Sequence, residues 1–269
     1  MNYLKMIVSH ENELKFIKMN ALESDPYIDK ILVCEANYTH SGIKRPFIFK
    51  ELIEKHFKDD PRIVYVPLDI ESKVHKDTMA FKSLHYNERI IRGYFIEHIQ
   101  LKSDDIVFSV DADEIIYKKS YPHLLSLFGN KKRQAFKLRL NNFIYRPDYF
   151  WKSMDFIAPT VCTGNYYKFS YRKYNQWRYH GELIEEPMGC HFNWHLTPAE
   201  MLQKINNYSH KDRYHHMNDI KVFEGAIRNK EYPFENDLVV DIEQIDLNEN
   251  KDLYPESFLK LKDEFKYLM

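Results

Sequence analysis

The sequence predicts an α/β fold, in which a Rossmann-like central mixed sheet is flanked by helices and continues into a smaller, β-containing half. Short apolar runs alternate with helix-like segments in the first half of the chain, and a long helical segment then leads into an apolar strand that ends in carboxylates. After about residue 136 the chain becomes rich in Tyr, Asn, Trp and Arg. A chain of 269 residues with 44% hydrophobic content can form one large α/β domain or two small ones, and we expect a single domain covering 1–269.

The first-half elements follow a strand–helix–strand order. Apolar runs followed by polar residues predict strands at 5–8, 31–34 and 63–66. The segments between them predict helices at 13–22 and 46–57, each followed by an Asp-Pro dipeptide that ends a helix. Strands joined in this way lie parallel.

The next strand ends in an acidic motif. A predicted helix at about 82–101 precedes an apolar strand at 104–110, and Asp111-Ala112-Asp113-Glu114 follows it. Ligands of open α/β sheets bind at the carboxyl ends of the strands. Two carboxylates at such an end can converge on Mg²⁺ or Mn²⁺, which prefer oxygen ligands. Asp111 and Asp113 are therefore predicted metal ligands, and a solvated Asp-rich turn is the alternative.

The second half is predicted to contain short strands at 135–140 and 166–171 and helices at 198–208 and 255–268. Aromatic residues make up 15% of the chain, which suits a protein that stacks flat apolar faces against sugars or bases. The candidate sugar platforms are Trp151, Trp177 and Trp194. Core packing is the alternative role for each of them.

Composition and charge narrow the class of protein. Lys and Arg total 39 against 40 Asp and Glu, so the charge balance gives no reason to expect nucleic acid or an anionic membrane as a partner. The apolar run at the N-terminus is too short for a signal sequence or a membrane span. The three cysteines lack metal-binding spacing and are predicted to be reduced core residues. We therefore expect a cytoplasmic protein without a membrane span.

Two segments around the acidic motif resemble one enzyme family. Residues 109–115, SVDADEI, are similar to the "DADEIP" signature of glycosyltransferase family 17. The helix before them, with Asn87-Glu88-Arg89 and Arg92-Gly93, resembles the Arg-bearing helix that precedes that signature.

Two further segments match the same family in the same order. Residues 34–39, CEANYT, with Gly42 and Arg45-Pro46, are similar to "CESNFT…G…RP", and residues 189–198, GCHFNWHLTP, are similar to "GWHCSWCFTP". The resemblance covers about residues 11–194. The chain departs from it at Ile116, Cys190, Asn193 and His195.

The family consists of β-1,4-mannosyl-glycoprotein β-1,4-N-acetylglucosaminyltransferases. The resemblance implies a GT-A-type fold, a divalent metal cofactor (Mn²⁺ or Mg²⁺), a UDP-sugar donor carrying GlcNAc, a glycan or glycoconjugate acceptor and an inverting reaction. We interpret residues 1–116 as the nucleotide-sugar-binding half and residues 117–269 as the acceptor-side half.

The resemblance also assigns candidate site residues. Asp111 and Asp113 would hold the metal, with Asp113 as a catalytic residue, and His191 is the candidate third ligand because it lies in a family motif. The candidate donor-binding residues follow the first two strands or precede the acidic motif: Glu11, Glu35, Asn37, Arg89, Arg92 and Asp111. Helix capping and salt bridges are the alternative roles. His191 and His195, or the histidines at 210, 215 and 216, could bind zinc if helical, but Pro198 argues against a zinc-binding helix at the first pair.

An inverting transferase needs a base for the acceptor hydroxyl. Among Asp155, Glu182, Glu185 and Glu186, we predict Glu182 because it closely precedes the His191 motif. Two other functions remain open at this stage. A metal-dependent phosphoesterase would use the same aspartates and would turn over without an acceptor, and a non-catalytic nucleotide- or sugar-binding module would bind without turnover.

Overall fold

One mixed β-sheet forms the centre of the protein. We describe it from a computed structural model, which describes residues 1–129, 134–173, 181–214, 216–234 and 238–268, with only the backbone at 170–173. Ten strands occur within these ranges: β1 (Asn2–Val8), β2 (Lys30–Ala36), β3 (Ile63–Leu68), β4 (Ile106–Asp111), β5 (Glu114–Ile116), β6 (Ala135–Ile144), β7 (Tyr149–Trp151), β8 (Thr160–Thr163), β9 (Glu182–Asn193) and β10 (Ile242–Gln244).

Helices cover the sheet on both faces. The α-helices are α1 (Leu14–Glu23), α2 (Phe49–His56), α3 (Phe81–Gly93), α4 (Tyr121–Ser126), α5 (Gly164–Lys173), α6 (Pro198–Asn207), α7 (Lys211–Tyr214), α8 (Ile220–Asn229) and α9 (Glu256–Leu261). Short 3-10 helices lie at Glu11–Glu13, Tyr94–Glu97, Lys118–Ser120, Lys251–Leu253 and Lys262–Leu268.

The first half of the chain forms the parallel part of the sheet. The strand order is β3-β2-β1-β4, and each neighbouring pair is parallel. This 3-2-1-4 order, with helical crossovers, is the order of doubly wound nucleotide-binding sheets. The predicted Rossmann-like mixed sheet flanked by helices is confirmed.

The second half extends the same sheet with antiparallel strands. β8 pairs with β4, β6 pairs with β8, and β7 and β10 complete that edge. The long strand β9 runs parallel to β6, and its last residues pair with β5. One hydrogen-bonded sheet therefore runs through both predicted halves.

Strand β1 shows how the sheet is buried on both faces. Leu4, Met6 and Val8 point into one apolar cluster with α1 and α9, whereas Tyr3 and Ile7 point into a second cluster with α3. This alternation follows from the two-residue repeat of a strand. A third cluster packs α6 and α8 against β7.

Two predicted elements differ in the structure. The predicted helix at 82–101 ends as an α-helix at Gly93 and continues only as the 3-10 helix Tyr94–Glu97, since glycine weakens a helix interior. The predicted strand at 166–171 is wrong, because these residues lie in α5. There the buried Tyr167 packs against Phe95 with ring centroids 5.0 Å apart, so tertiary packing overrides the strand preference of tyrosine.

Cys34, Cys162 and Cys190 are buried and free, and burial raises the pKa of the Cys34 thiol to about 12. Among the helices that the structure describes, none is long and apolar enough to cross a membrane.

Candidate functional site

A cavity of about 690 Å³ lies at the carboxyl ends of β1, β2 and β4, and we call it the strand-end cavity. Helices α3 and α6 and the end of β9 form its other walls. It is lined by residues 7–11 and 13; 36, 38–40, 43–46 and 48; 88, 91 and 92; 111–114; 154, 156 and 158; 191, 193 and 194; 203, 204, 207, 208 and 210; and 232. This is the edge at which open α/β sheets bind ligands. Both predicted aspartates lie in its wall.

The acidic turn after β4 is held by neighbouring elements. Asn20 of α1, which is fully buried, donates to the Ala112 carbonyl at 3.0 Å. The Phe192 amide of β9 donates to the Asp113 carbonyl at 2.9 Å, and the Asp111 amide donates to the Glu114 carboxylate at 2.7 Å. The backbone of the turn is thereby fixed at three points, so the two aspartates keep defined positions.

Asp111 is paired with an arginine of helix α3. The Arg92 guanidinium donates to both Asp111 carboxylate oxygens, through Nη1 to Oδ1 and through Nη2 to Oδ2 at 2.8 Å. Arg92 Nε also donates to Glu88 at 3.1 Å. Its two carboxylate partners raise the pKa of Arg92 well above its ordinary value, despite burial. The Asp111 carboxylate therefore already faces a cation.

Asp113 is in a different environment. Its nearest basic partner is His191, whose Nε2 lies 3.8 Å from Asp113 Oδ2, and no lysine or arginine in the described ranges forms an ion pair with it. Burial raises the pKa of Asp113 to about 6, and the neighbouring Asp111 and Glu13 add to the shift. Lys204 opposes this shift, and any further cation beside Asp113 would also favour its ionised form.

His191 reaches the acidic turn through the pairing of β9 with β5. It lies opposite Glu114 in this antiparallel ladder. The strands approach so closely at Gly189 that a Cβ atom there would lie 2.0 Å from the Ile115 carbonyl oxygen, so only glycine fits. The His191 ring stacks on Phe156 with centroids 3.8 Å apart, which fixes its orientation beside Asp113.

These residues fit a divalent ion only in part. No group of three or more His, Cys, Asp or Glu in the described parts of the chain forms a complete metal cage. Mg²⁺-type ions in nucleotide sites, however, are held by one or two carboxylates together with substrate phosphates. Asp113 and His191, 3.8 Å apart, are close enough to bind one ion, since such bonds are about 2.0–2.2 Å long. Both Asp111 oxygens already accept from Arg92, so an ion there would share this carboxylate with the guanidinium or displace it.

The alternative zinc sites of the sequence analysis are not supported. His191 lies in β9 and not in a helix, and His195 is buried beside Phe192 with ring centroids 5.0 Å apart. His210 packs against His85 and Tyr208. His215 lies outside the described residues.

The structure separates the predicted donor-binding residues into two groups. Glu11 and Arg92 line the strand-end cavity, as Asp111 does. Arg89 is exposed on α3 outside the lining. Asn37 also lies outside the lining, where its side chain donates to Asp69 at 2.8 Å and accepts from the Ile70 amide, so it fastens the loop after β3.

Glu35 supports the cavity wall from behind. It is 0% exposed and accepts hydrogen bonds from the Ile48 and Phe49 amides, the Tyr65 hydroxyl and Arg45. Arg45 in turn donates to the carbonyls of Val8, Ser9 and Ala36. This ion pair therefore joins the ends of β1 and β2, and a direct donor contact by Glu35, as predicted, would require these bonds to break.

Glu182 lies far from the strand-end cavity. It is exposed at the first residue of β9, whereas His191 is near the last. The two pair with Phe136 and Asn142 of β6, six residues apart, so they lie roughly 20 Å from each other along the sheet. Asp155 and Glu185 pair with Arg139, and neither they nor Glu186 line the cavity. We therefore withdraw Glu182 as the base. In the described lining, every carboxylate comes from residues 1–116.

The tryptophans do not serve as open sugar platforms. Trp151 is 1% exposed in the core, and Trp194 is packed between Phe234, at 4.5 Å, and Lys204, at 4.8 Å from the ring centroid. Trp177 lies outside the described residues. Phe156, Tyr208 and Tyr232 are the less buried aromatic residues of the cavity wall. No feature of the sequence distinguishes them from the other aromatic residues.

The cationic side of the cavity was missed by the sequence analysis. Trp194 adopts a left-handed backbone conformation (φ 54°), which turns the chain from β9 into α6. Helix α6 then begins with a Thr197–Glu200 capping box and places Lys204 in the cavity wall. The described carboxylates form no ion pair with Lys204. The capping box predicts that α6 begins at this point. The face of α6 that lines the cavity, however, depends on the turn at Trp194.

Two histidines of the cavity wall are neutral at physiological pH. Burial lowers the pKa of His10 to about 4, with Lys204 and Arg45 adding to the shift, and burial lowers the pKa of His40 to about 4. Neither of these two histidines therefore contributes positive charge to the cavity near neutral pH.

Comparisons with known proteins give one family and distant structures. A sequence profile of glycosyltransferase family 17 matches residues 3–269. No curated protein matches the chain. TarS 1–349 of S. aureus is 8% identical with a TM-score of 0.44, covering 77% of this chain and 64% of that one. A second S. aureus TarS structure is 8% identical with a TM-score of 0.42, covering 86% of this chain and 44% of that one. A 4-diphosphocytidyl-2C-methyl-D-erythritol synthase is 10% identical with a TM-score of 0.40, covering 68% of this chain and 88% of that one. This chain thus spans less than two thirds of either TarS structure, and these likenesses carry no conclusion.

Proposed function

The chain belongs to glycosyltransferase family 17, and on this premise we propose that it transfers a sugar from a nucleotide-sugar donor to a hydroxyl of a glycan acceptor with the help of a divalent metal ion. The resemblance suggests UDP-GlcNAc as the donor and inversion as the outcome. The proposal rests on one observation: an aspartate pair at the end of β4 lines a cavity, and Asp113 has no lysine or arginine ion pair in the described chain.

Asp113 and His191 would hold the ion, and Asp111 would join them. A divalent ion there supplies charge neutralisation at the diphosphate leaving group. The residues of the chain supply the rest of the electrostatic environment. Lys204 and Arg92 face the cavity from two sides and can donate to phosphate oxygens. The donor diphosphate is therefore expected to lie between α3 and α6.

Replacing Lys204 by methionine is expected to weaken UDP binding about 10- to 100-fold, since a hydrogen bond to a charged group contributes about 1.5–3 kcal/mol. Methionine keeps the apolar contact with Trp194 but removes the charge. Isothermal titration calorimetry with UDP and Mn²⁺ measures the change. Lys221→Met, at an exposed position of α8, is the matched control and should bind like wild type. Equal affinity of the Lys204 variant and wild type would contradict the role.

Replacing Glu182 by glutamine is expected to change kcat/KM less than about twofold, because substitutions of exposed residues away from a site cost little. Steady-state transfer assays measure this. A loss of 100-fold or more with unchanged folding would restore Glu182 as the base and contradict its placement at the far end of β9.

The first test of the function is binding. We expect calorimetry to show UDP binding that requires Mn²⁺ or Mg²⁺, and a thermal-shift screen of nucleotide sugars to identify the donor, because a specific ligand raises the melting temperature by mass action. Absence of any metal-dependent nucleotide binding would refute the proposal. Phosphate-ester cleavage that is independent of any sugar acceptor would instead indicate a phosphoesterase, and binding without turnover a non-catalytic module.

A further inference from the structure

We infer that Arg92 is a resident counter-cation of Asp111 that competes with the divalent metal ion, so that the metal and the nucleotide diphosphate bind cooperatively. The inference rests on the proposed function, and it concerns the same cavity. It arises from the unequal partners of the two aspartates: Asp111 is held by a guanidinium, whereas Asp113 is not.

Arg92 and Asp111 form a bidentate ion pair. The two Nη atoms of Arg92 each donate to a different carboxylate oxygen, which is the two-pronged arrangement that makes arginine–carboxylate pairs specific. The side chains are only partly exposed, 17% for Arg92 and 27% for Asp111. Because both lie in the cavity wall, an arriving ion meets this pair directly.

A metal ion at Asp111 would either displace one of these hydrogen bonds or bind the remaining lone pairs of the same carboxylate, beside the guanidinium charge. The guanidinium would remain charged in either case, because arginine stays protonated in proteins. Removing the partner of a partly buried cation carries a free-energy cost. The metal alone is therefore expected to bind weakly.

A nucleotide diphosphate removes this cost. Phosphate oxygens match the guanidinium fork as well as a carboxylate does. Arg92 would stay near the cavity after release, because its Nε donates to Glu88 on the same helix at 3.1 Å. Glu88 also pairs with His85 Nδ1 at 3.2 Å. Arg92 can thus exchange Asp111 for phosphate while its stem remains anchored.

Binding free energies are coupled reciprocally, so UDP should tighten metal binding by the same factor by which the metal tightens UDP binding. In wild type we expect a factor of about 10 or more, which is within the usual range of such couplings. Direct contact between the metal and the phosphates accounts for some of this coupling between UDP and metal binding. The contribution of Arg92 is the decrease in coupling when Arg92 is replaced.

The experiment measures Mn²⁺ affinity by the electron paramagnetic resonance signal of free Mn²⁺, with and without UDP. For Arg92→Gln we expect Mn²⁺ alone to bind about 10-fold more tightly than in wild type, and the UDP coupling factor to shrink several-fold. Arg92→Lys keeps the positive charge but loses the forked guanidinium, so its Mn²⁺ affinity should lie between those of wild type and Arg92→Gln. Arg89→Gln, an exposed arginine on the same helix and outside the cavity lining, is the matched control and should resemble wild type.

The possible results distinguish failure of the Arg92–metal competition from failure of the proposed transferase function. If wild type binds Mn²⁺ and UDP together but Arg92→Gln binds Mn²⁺ alone no more tightly, the competition is refuted and the proposed function stands. If wild type binds neither, the proposed function itself fails. Circular dichroism checks folding, and if Arg92→Gln does not fold, Arg92→Lys decides: an Mn²⁺ affinity equal to or weaker than that of wild type overturns the inference.

Discussion

Replacing Asp113 by asparagine is expected to lower kcat/KM about 10²- to 10³-fold and to remove metal-dependent UDP binding. Asparagine keeps the shape of the side chain but removes the negative charge that an ion would bind, and loss of one preorganised electrostatic contact of this kind has an effect of this size. No lysine or arginine of the described chain forms a direct ion pair with Asp113, so the substitution breaks no such pair. Transfer assays and calorimetry with UDP and Mn²⁺ measure both effects.

The control for this variant is Asp263→Asn. Asp263 is exposed and pairs only with Lys266 on the surface of the C-terminal 3-10 helix, so its loss should leave activity and stability unchanged. If Asp113→Asn still bound UDP in a Mn²⁺-dependent way with the wild-type affinity, the metal site would have to lie elsewhere.

Replacing Glu35 by alanine is expected to destabilise the protein by about 3–5 kcal/mol, the usual cost of removing one partner of a buried ion pair. Arg45 would keep its charge in a mostly buried position, and the amides of Ile48 and Phe49 would lose their acceptor at the start of α2. For a chain of this size we expect the melting temperature to fall on the order of 10 °C. Urea denaturation followed by circular dichroism measures the free energy of unfolding.

The matched control is Glu71→Ala. Glu71 forms two ion pairs, with Lys44 and Lys76, but all three side chains are largely exposed. Its loss should cost less than about 1 kcal/mol. Equal destabilisation by the two substitutions would show that the Glu35–Arg45 pair does not hold the strand ends together.

The parallel half of the fold could be predicted from local patterns. Strands β1, β2 and β3 and helix α1 lie within a few residues of their predicted positions. Each strand is a short apolar run, each helix begins after polar residues, and the pairing of neighbouring strands needs no information from distant parts of the chain. The acidic motif at the end of β4 follows from the same logic.

In the second half, β6 and α6 also lie at their predicted positions, but β9 and α5 could not be predicted in this way. Strand β9 contains Pro187 and exposed glutamates, so its pattern is not that of a strand, and its pairing with β6 and β5 is set by residues distant in sequence. Helix α5 is rich in tyrosine, which favours strands when considered alone. In both cases long-range packing decided the structure.

The same distinction applies to the site. Asp111, Asp113 and Glu11 reach the cavity because they follow strands of one parallel sheet. Glu182 was wrongly placed because nearness in sequence to His191 was taken as nearness in space, whereas an extended strand separates them. Lys204 depends on the left-handed turn at Trp194, which no sequence rule foresees for tryptophan.

Asn87 of α3 has a consequence for engineering. Its fully buried side chain donates to the carbonyls of His40 and His75 and accepts from the His75 amide, so one amide group sets the spacing between the loops after β2 and β3. A loop of another length grafted onto β2 or β3, as in attempts to redesign specificity, would leave the buried Asn87 amide without these hydrogen-bond partners. Chimeras should therefore retain both backbone positions or exchange Asn87 together with the loops.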